Sequence, residues 1–504
     1  MGLGSAWAGD HGQLGARWTR NMVSSERPLP ATFDPAAGSN IVWSASIGTE
    51  SHSTPVIGGG RVLIGTNNGN PRDPKHEGDR GVLMCFDERD GRFLWQLVVP
   101  KREEDIYFDW PKSGISSTVT IEGDRAYLVD NRGIVLCLDL QGMANGNDGP
   151  FQLESIYFAK QPTNELNQGA PAAFRPDGTL KPDAPTPNRI EPGPIDGDIL
   201  WMFDLSSGAG IWSHDAAHSS ILIRGDHLYL NTGTGVDNTH KKIRRPDAPS
   251  RIVLDKRTGQ FLARENEKIG PDIFHSTWAP PSMASVNGKD TLFFAAGNGM
   301  VYGFEPLPAD ASFAAPTTLR KVWQFDFDPA APKTEVHRFN LNKNEGPSNF
   351  YGAPVPVGDR LYVAGGGDLW WGKNEAWLKC LDLSATPPTL RWQYTLVRHT
   401  FSTPAVHDGL VFVSDCSQNL HCVDANTGQG IWIHELKGET WASPFVADGK
   451  VYIGTRRGWF HVLTASRQKE VLFEANLGAP ISATTVAANG RLYVATMNRL
   501  LAIR

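Results

Sequence analysis

The sequence lacks two features that would define broad functional classes. It contains no apolar run near the roughly 18 residues that a membrane-spanning helix needs. It also lacks a basic excess, because 48 Lys and Arg stand against 54 Asp and Glu, a formal net charge of −6. The short run "KKIRR" at 241–245 is interpreted as a solvated loop. The sequence therefore predicts neither a transmembrane segment nor a nucleic-acid partner.

The N-terminus also lacks the pattern of an export signal. "MGLGSAWAGDHGQLGARW" has neither a basic n-region nor an apolar h-region. Two interpretations stay open at this point: the protein is cytosolic, or an export signal has been removed from this chain.

Cysteine is scarce, and its placement argues against a disulfide framework. Four of the five cysteines, Cys85, Cys137, Cys380 and Cys422, occupy one repeated position. Equivalent positions in different repeats should lie farther apart than the roughly 7 Å between Cα atoms that a disulfide allows. Cys416 lies on the strand facing Cys422 and is the one candidate partner. No CxxC or CxxCH motif indicates a metal or haem site.

Glycine and proline, by contrast, are abundant. The 504 residues include 52 Gly and 35 Pro, and 40% are hydrophobic. This composition predicts a large core, many turns and few long helices, which favours an all-β protein.

A repeat runs along most of the chain. Its unit is "S-T-P … G-x-V-Y-V … L-x-D-x-x-T-G-x-x-x-W", which predicts four short strands separated by tight turns. Pro404 and Pro444 are 40 residues apart, as are Pro444 and Thr484. This period is typical of four-stranded propeller blades.

Counting the repeat predicts the whole architecture. The eight blade starts lie at Ser53, Ser116, Ser219, Trp278, Gly352, Ser402, Ala442 and Ser482. The last blade has no fourth strand, whereas "NIVWSASIG" around Trp43 is a fourth strand with no blade before it. We therefore predict an eight-bladed β-propeller of four-stranded antiparallel blades over 40–504, closed by an N-terminal strand that completes the last blade. An extension, 1–39, precedes it, and 141–198 is a long insertion after the third strand of blade 2.

Tryptophan recurs on the predicted fourth strands. The residues at this position are Trp43, Trp95, Trp201, Trp323, Trp392 and Trp432. A large aromatic residue at a fixed repeat position predicts packing between neighbouring blades. Blades 3 and 7 have Ala263 and Leu472 near the matching places and should be packed differently.

The repeat resembles that of the pyrroloquinoline-quinone (PQQ) propeller superfamily, which includes quinoprotein alcohol dehydrogenases and the propeller lipoprotein of outer-membrane protein assembly. The segments "NNGNPRDPKHEGDRGVLMCFD", "NRGIVLCLDLQGMANGNDGPF" and "FHSTWAPP" are similar to a secreted bacterial branch of PQQ-like repeat proteins. The resemblance covers about residues 40–504. It implies a periplasmic or secreted protein whose signal peptide is not present in this chain.

The resemblance also implies a cofactor to consider. Dehydrogenases of the family stack PQQ between a Trp and a vicinal disulfide, with Glu, Asn and Asp positioning a calcium ion. This sequence has no adjacent cysteines, and no motif in it matches the calcium ligands. The cofactor therefore stays undefined, with PQQ plus calcium or a divalent metal as the alternatives.

The innermost strands of a propeller converge on its axis, which predicts an axial funnel. The residues three positions before each repeat proline, or its equivalent, are His52, Ser116, His218, Trp278, Tyr351, Phe401, Trp441 and Ile481. Aromatic rings and imidazoles suit a flat cofactor or sugar rings. The alternative is that the rings only plug the channel.

Candidate site residues follow from this arrangement. The predicted ligand-binding residues are Trp278, Tyr351, Phe401, Trp441, Trp110, His399 and Asn349. The predicted catalytic residues are His52, His218, His275 and Arg338. His214 and His218 in "HDAAHSS" are candidate metal ligands, and Trp370 and Trp371 form a candidate stacking platform.

Three functions stay open on the sequence. The first is binding of a small molecule or carbohydrate in the funnel, or of a partner protein across the flat face. The second is a polysaccharide lyase or hydrolase, with a His as base and an Arg or metal neutralising a uronate carboxylate. The third is a PQQ- and calcium-dependent alcohol or sugar dehydrogenase.

Overall fold

The computed structural model of the chain describes residues 9–102, 107–160, 174–182, 188–215, 219–311 and 313–504. These residues form eight sheets, seven of four strands and one of five. Within each blade, consecutive strands pair antiparallel. The predicted eight-bladed all-β propeller is confirmed.

The first strand is β1 (Ile41–Ser46), and blade 1 contains β2 (Val56–Gly58), β3 (Arg61–Asn67), β4 (Arg80–Asp87) and β5 (Phe93–Pro100). Blade 2 contains β6 (Thr120–Glu122), β7 (Arg125–Val129), β8 (Ile134–Asp139) and β9 (Ile199–Asp204), and blade 3 contains β10 (Leu222–Arg224), β11 (His227–Asn231), β12 (Arg251–Asp255) and β13 (Phe261–Arg264). Blade 4 contains β14 (Ser282–Val286), β15 (Lys289–Ala295), β16 (Met300–Phe304) and β18 (Lys321–Asp326). Between the last two lies β17 (Thr317–Thr318), which pairs parallel with β13.

The second half contains β19 (Val355–Val357), β20 (Arg360–Gly366), β21 (Ala376–Asp382) and β22 (Thr389–Leu396) in blade 5, β23 (Ala405–His407), β24 (Leu410–Asp415), β25 (Asn419–Asp424) and β26 (Gly430–Glu435) in blade 6, β27 (Phe445–Ala447), β28 (Lys450–Gly454), β29 (Trp459–Thr464) and β30 (Val471–Asn476) in blade 7, and β31 (Val486–Ala488), β32 (Arg491–Ala495) and β33 (Arg499–Ile503) in blade 8.

The helices are single turns in loops. The α-helices are α1 (Glu154–Tyr157) and α2 (Leu205–Ala209), and the 3-10 helices are Gly142–Asn145, Gly270–Asp272 and Val336–Phe339. Asp204 caps α2 by accepting hydrogen bonds from the backbone N–H groups of Ser206 and Ser207. The connection between β8 and β9 occupies 140–198 and contains α1.

The ring is closed by the N-terminal strand, as predicted. β1 pairs antiparallel with β33, with Trp43 opposite Ala502 and Ala45 opposite Leu500. The sheet order β1–β33–β32–β31 completes blade 8 from the two ends of the chain.

Hydroxyl groups of the repeated "S-T-P" motif join the blades around the axis. In five places a backbone N–H at the start of one blade donates to the hydroxyl of the next, over 2.9 to 3.2 Å. The pairs are Ala353 to Thr403, Thr403 to Ser443, Ser443 to Thr484, Thr484 to Thr54, and Thr54 to Thr118. The motif recurs because each blade must satisfy the backbone of its neighbour.

The outer tryptophans join the blades farther from the axis. Five indole N–H groups donate to a carbonyl of the next blade over 2.9 to 3.2 Å: Trp43 to Glu88, Trp95 to Leu140, Trp201 to Lys256, Trp392 to Ala425 and Trp432 to Ser466. In blade 1, Trp95 lies directly opposite Cys85. Cysteine recurs at this position because the ring across the strand leaves room only for a small side chain.

Blades 3 and 7 depart from this pattern. In blade 3, Ala263 faces Val253, and in blade 7 Phe473 faces Val462. In blade 7, the residue that corresponds to the tryptophans of the other blades is therefore Phe473 and not its neighbour Leu472. All five cysteines are free and buried.

The segment before β1 crosses the inner strands of several blades. Its contacts are the Trp18 indole N–H to the Ile223 carbonyl, the Arg20 guanidinium to the Pro281 and Ser220 carbonyls, the Asn21 amide to the Val406 carbonyl, and bridges from His11 to Ile57 and from Val23 to Val446. Because Leu14 of this segment also lines the axial cavity, we call residues 9–40 the floor segment.

Candidate functional site

A cavity of about 620 Å³ lies on the propeller axis. Its wall combines aromatic, hydroxyl-bearing and charged residues from most of the blades. Its volume lies in the range of roughly 300–1,000 Å³ that is usual for small-molecule sites.

Four aromatic rings from four successive blades line one side of the cavity; we call them the aromatic arc. They are Trp278, Tyr351, Phe401 and Trp441. Successive ring centroids lie 4.9, 4.2 and 5.0 Å apart. Because the four residues occupy one repeat position, the propeller geometry brings their rings side by side.

Trp370 lies against all four rings of the arc. It follows β20, and its centroid is 5.8 to 6.3 Å from each ring of the arc. The side chain is nevertheless 42% exposed. Trp370 therefore presents an apolar surface to the cavity instead of filling a core.

The rest of the cavity wall mixes apolar residues, Leu14, Tyr107, Trp110, Pro280 and Trp371, with polar ones. Its hydroxyl-bearing and charged side chains are Ser113, Ser116, Thr118, Ser219, Ser220, Ser482, Glu50, Asp215 and Arg456. The Arg456 guanidinium lies 4.0 Å from the centroid of the Trp441 ring and donates to the Ser482 hydroxyl over 2.8 Å. Burial lowers the pKa of Arg456. The cavity wall thus combines aromatic rings with hydrogen-bonding groups.

His52 and Glu50 form a hydrogen-bonded pair on the wall. His52 Nε2 lies 2.9 Å from Glu50 Oε1, and the imidazole stacks on Trp441 at 5.7 Å between centroids. A carboxylate that orients an imidazole facing a cavity is the arrangement of a general base.

Three histidines meet at the edge of the cavity; we call them the histidine cluster. One ring nitrogen from each of His214, His240 and His275 lies within 4.8 Å of those of the other two. His275 Nδ1 lies 2.8 Å from Asp368 Oδ2, and His214 Nδ1 lies 3.0 Å from the Val236 carbonyl.

Burial sets the protonation of two of these rings. Burial, reinforced by the neighbouring imidazoles, holds the pKa of His214 well below its ordinary value. Burial together with His275 lowers the pKa of His240 to about 4. Both rings are therefore neutral near pH 7.

Asp368 connects the histidine cluster with the aromatic arc. Its buried carboxylate accepts hydrogen bonds from the Tyr351 hydroxyl (2.6 Å) and from the backbone N–H groups of Trp370 (3.0 Å) and Trp371 (2.8 Å). Burial alone would raise the pKa of Asp368, but His275 and these hydrogen bonds hold it well below its usual range. Burial and Asp368 together raise the pKa of Tyr351.

Most of the residues predicted for the funnel lie around the cavity. Those in its wall are His52, Trp110, Ser116, His275, Trp278, Tyr351, Phe401 and Trp441. His218 lies outside the described residues, so its pairing with His214 is not described. His214 meets His275 and His240.

Four predicted residues lie elsewhere. His399 is buried, with Nε2 2.8 Å from the Lys373 carbonyl. Asn349 forms a backbone bridge with Gly366, and Ile481 is buried in the core. The exposed Arg338 pairs with Glu335 within one turn of 3-10 helix, because the loop turns its side chain to solvent.

The repeat pattern did not predict several other residues of the site. They are Glu50, Asp215, His240, Asp368, Trp371 and Arg456. His240 and Asp368 lie in irregular loops, where no periodic pattern aligns them with the axis. The string "GGGDLWW" draws attention to its tryptophans, but the role of its aspartate depends on the contact with His275.

No helix within the described ranges is long and apolar enough to cross a membrane.

Sequence comparisons identify relatives with named functions. A family model described as outer membrane protein assembly factor BamB matches residues 11–144, 374–466 and 416–503, slightly more than half of the chain. The lanthanide-dependent methanol dehydrogenase of Methylacidiphilum fumariolicum (strain SolV) is 29% identical over 127 residues. This match covers 22% of the present chain and only 20% of the dehydrogenase.

Solved structures resemble the whole propeller. BamB from Moraxella catarrhalis superposes with a TM-score of 0.51 at 14% identity, covering 91% of this chain and 95% of that one. The computationally designed Ika8 protein superposes with a TM-score of 0.50 at 9% identity, covering 92% and 100%. At such low identity these likenesses show the fold alone.

Proposed function

The chain belongs to the PQQ-like propeller family, whose matching model is described as outer membrane protein assembly factor BamB, and from that premise we propose that its axial cavity binds a carbohydrate. The observation that carries this proposal is the combination of aromatic rings and hydrogen-bonding side chains in the wall of one cavity.

A sugar ring has the same two characters as the cavity. Its axial C–H groups form an apolar face that stacks on aromatic rings, and its hydroxyls donate and accept hydrogen bonds. Trp370 offers a stacking surface, while Ser116, Ser482 and Arg456 offer hydrogen-bonding groups. A cavity of about 620 Å³ accommodates a short oligosaccharide.

We place this binding outside the cytoplasm. The name of the matching family refers to assembly of outer-membrane proteins, and the repeat resembles that of secreted propellers. A protein partner across the flat face is compatible with this location.

A second candidate function, lyase or hydrolase action on a uronate-containing polysaccharide, rests on the His52–Glu50 pair. In this mechanism His52 takes a proton from the sugar or from water, and Glu50, 2.9 Å away, orients the imidazole. Arg456, which lies with His52 against the Trp441 ring, would neutralise the uronate carboxylate.

The residues of the cavity do not fit PQQ. PQQ carries three carboxylates, whereas the wall offers one arginine and the acidic groups Glu50 and Asp215. The five cysteines are not adjacent in sequence, and each is buried and free, so the vicinal disulfide of the dehydrogenases has no counterpart. We assign no PQQ-dependent step to this chain.

The test is calorimetric titration of the purified protein with neutral and uronate-containing oligosaccharides, comparing wild type with Trp370→Ala. We expect at least tenfold weaker binding of the best oligosaccharide, about 1.4 kcal/mol, because the variant loses the stacking surface. Trp459→Ala, which removes a half-buried tryptophan outside the cavity wall, is the matched control and should bind as wild type does.

Two results would refute the carbohydrate proposal: no heat with any oligosaccharide, or equal affinity in Trp370→Ala and wild type. The catalytic candidate is tested separately with His52→Asn. This change should abolish turnover of a uronate polymer while the oligosaccharide still binds.

A further inference from the structure

We propose that His214, His240 and His275 bind a divalent transition-metal ion, with zinc as the preferred metal, at the edge of the axial cavity. This inference is independent of the carbohydrate proposal, because it rests on other residues and on a different ligand chemistry.

The spacing of the three rings suits a single ion. Their ring nitrogens lie within 4.8 Å of one another. Three nitrogens at the usual zinc distance of about 2.0–2.1 Å are separated by about 3.3 Å in a tetrahedral site. Metal binding therefore requires the ring nitrogens to approach one another by no more than about 1.5 Å.

Groups outside the cluster hold two of the rings in the orientation that a metal requires. Asp368 bonds to His275 Nδ1, and the Val236 carbonyl bonds to His214 Nδ1. Metal-ligating histidines characteristically use their second nitrogen in this way, to a carboxylate or to a backbone carbonyl. Both Nε2 atoms therefore remain for coordination.

These two Nε2 atoms are buried without hydrogen bonds. His214 is 0% exposed and His275 is 2% exposed. Neither Nε2 atom has a hydrogen-bond partner among the residues that the structure describes. A buried polar atom without a partner is costly, and a bound ion removes that cost for both rings at once.

The cluster has one side toward the cavity. His240 and His275 line the cavity wall, as does Asp215, whose carboxylate lies 3.7 Å from His214 Nε2. Three histidines with a further position open to a cavity are typical of zinc sites that bind water or a ligand oxygen. Nitrogen ligands favour zinc and neighbouring transition metals over calcium and magnesium.

Two other groups of potential ligands contain histidine, but in each of them a lysine ammonium group already pairs with the carboxylates. Lys75 Nζ lies 2.5 Å from Asp196 and 3.3 Å from Asp73, so its ammonium group competes with a metal ion for the two carboxylates that accompany His76. His434, His461 and Glu474 are bonded to one another, and Lys437 pairs with Glu474.

The test is metal titration of the full chain after removal of bound metal with a chelator. We expect uptake of one equivalent of zinc, with no comparable response to calcium. Cobalt in the same site should show the visible absorption of a tetrahedral ion. X-ray absorption of the zinc-loaded wild type should show nitrogen and oxygen neighbours with imidazole scattering, and no sulfur.

Variants assign the ion to the cluster. His240→Ala and His275→Ala should each weaken zinc binding at least tenfold. His434→Ala removes a buried imidazole from another group and should leave the affinity unchanged. If the alanine variants do not fold, His240→Gln is the alternative, because glutamine is closer to histidine in size and polarity.

The proposal is overturned if the wild type takes up no zinc, if its absorption spectrum lacks imidazole scattering, or if His240→Gln binds zinc as tightly as His434→Ala does. If His240→Gln loses zinc binding but still binds the oligosaccharide, the metal site and the carbohydrate site act independently.

Discussion

Two tryptophans illustrate how one residue type serves two purposes in this protein. Trp95 is 1% exposed, faces Cys85 and donates its indole N–H to the Leu140 carbonyl of the next blade. Trp370 is 42% exposed and lies edge-on to most of the aromatic arc. The first joins two blades, whereas the second presents its ring to the axial cavity.

We predict that Trp95→Ala lowers the free energy of unfolding by about 3–5 kcal/mol, since it leaves a cavity and a carbonyl without its donor. Chemical denaturation followed by far-ultraviolet circular dichroism measures the change. Trp370→Ala is the matched control and should cost much less stability. A loss below about 1 kcal/mol in Trp95→Ala would contradict the proposed role between blades.

The floor segment contributes Leu14 to the wall of the cavity and is held to the blades by Arg20. Arg20 is fully buried, and its guanidinium donates to the carbonyls of Leu14, Pro281 and Ser220. Burial lowers the pKa of Arg20 to about 9. One side chain thus fastens the segment to blades 3 and 4.

We predict that Arg20→Leu loosens the floor segment, because three buried carbonyls lose a donor. Limited digestion with thermolysin should cut within residues 9–40 at least tenfold faster than in wild type, as mass spectrometry of the fragments would show. Arg17→Leu, at an exposed neighbouring position, is the control and should be cut at the wild-type rate. Equal rates in the two variants would mean that Arg20 does not hold the segment.

At the scale of the whole molecule, stability depends on closing the ring. The pairing of β1 with β33 joins the two ends of the chain, and the hydroxyl groups of the repeat bond one blade to the next. Opening the ring would expose the edge of β33 and separate blade 8 from blade 1.

We predict that the double change Ser44→Pro and Ala45→Pro lowers the thermal midpoint and promotes aggregation. Adjacent residues of a strand point their N–H groups in opposite directions, so one of the two prolines removes a donor to β33. The double glycine variant keeps both donors and is the control. Scanning calorimetry with light scattering measures both effects. Equal midpoints in the two variants would show that closure contributes little.

The sequence predicted the features of the fold that repeat from blade to blade, but it did not predict the contacts between loop residues. The eight blades, the closing strand and the interblade tryptophans repeat at fixed spacing, so each could be recognised from its equivalents. The arc of Trp278, Tyr351, Phe401 and Trp441 was identified as a row for the same reason. His240 and Asp368 occupy no repeat position, and the place predicted for Leu472 belongs to Phe473 because of the strand register.

The sequence by itself determined the propeller, because a repeat that cannot bury its own faces must stack on its neighbours in a set order. Only the tertiary structure decided that Asp368 orients His275 and that His214 and His240 meet the same ring. These residues lie in separate loops of blades 3 to 5 that the packing of neighbouring blades brings together, and contacts between loops depend on distances that no local pattern of the sequence encodes.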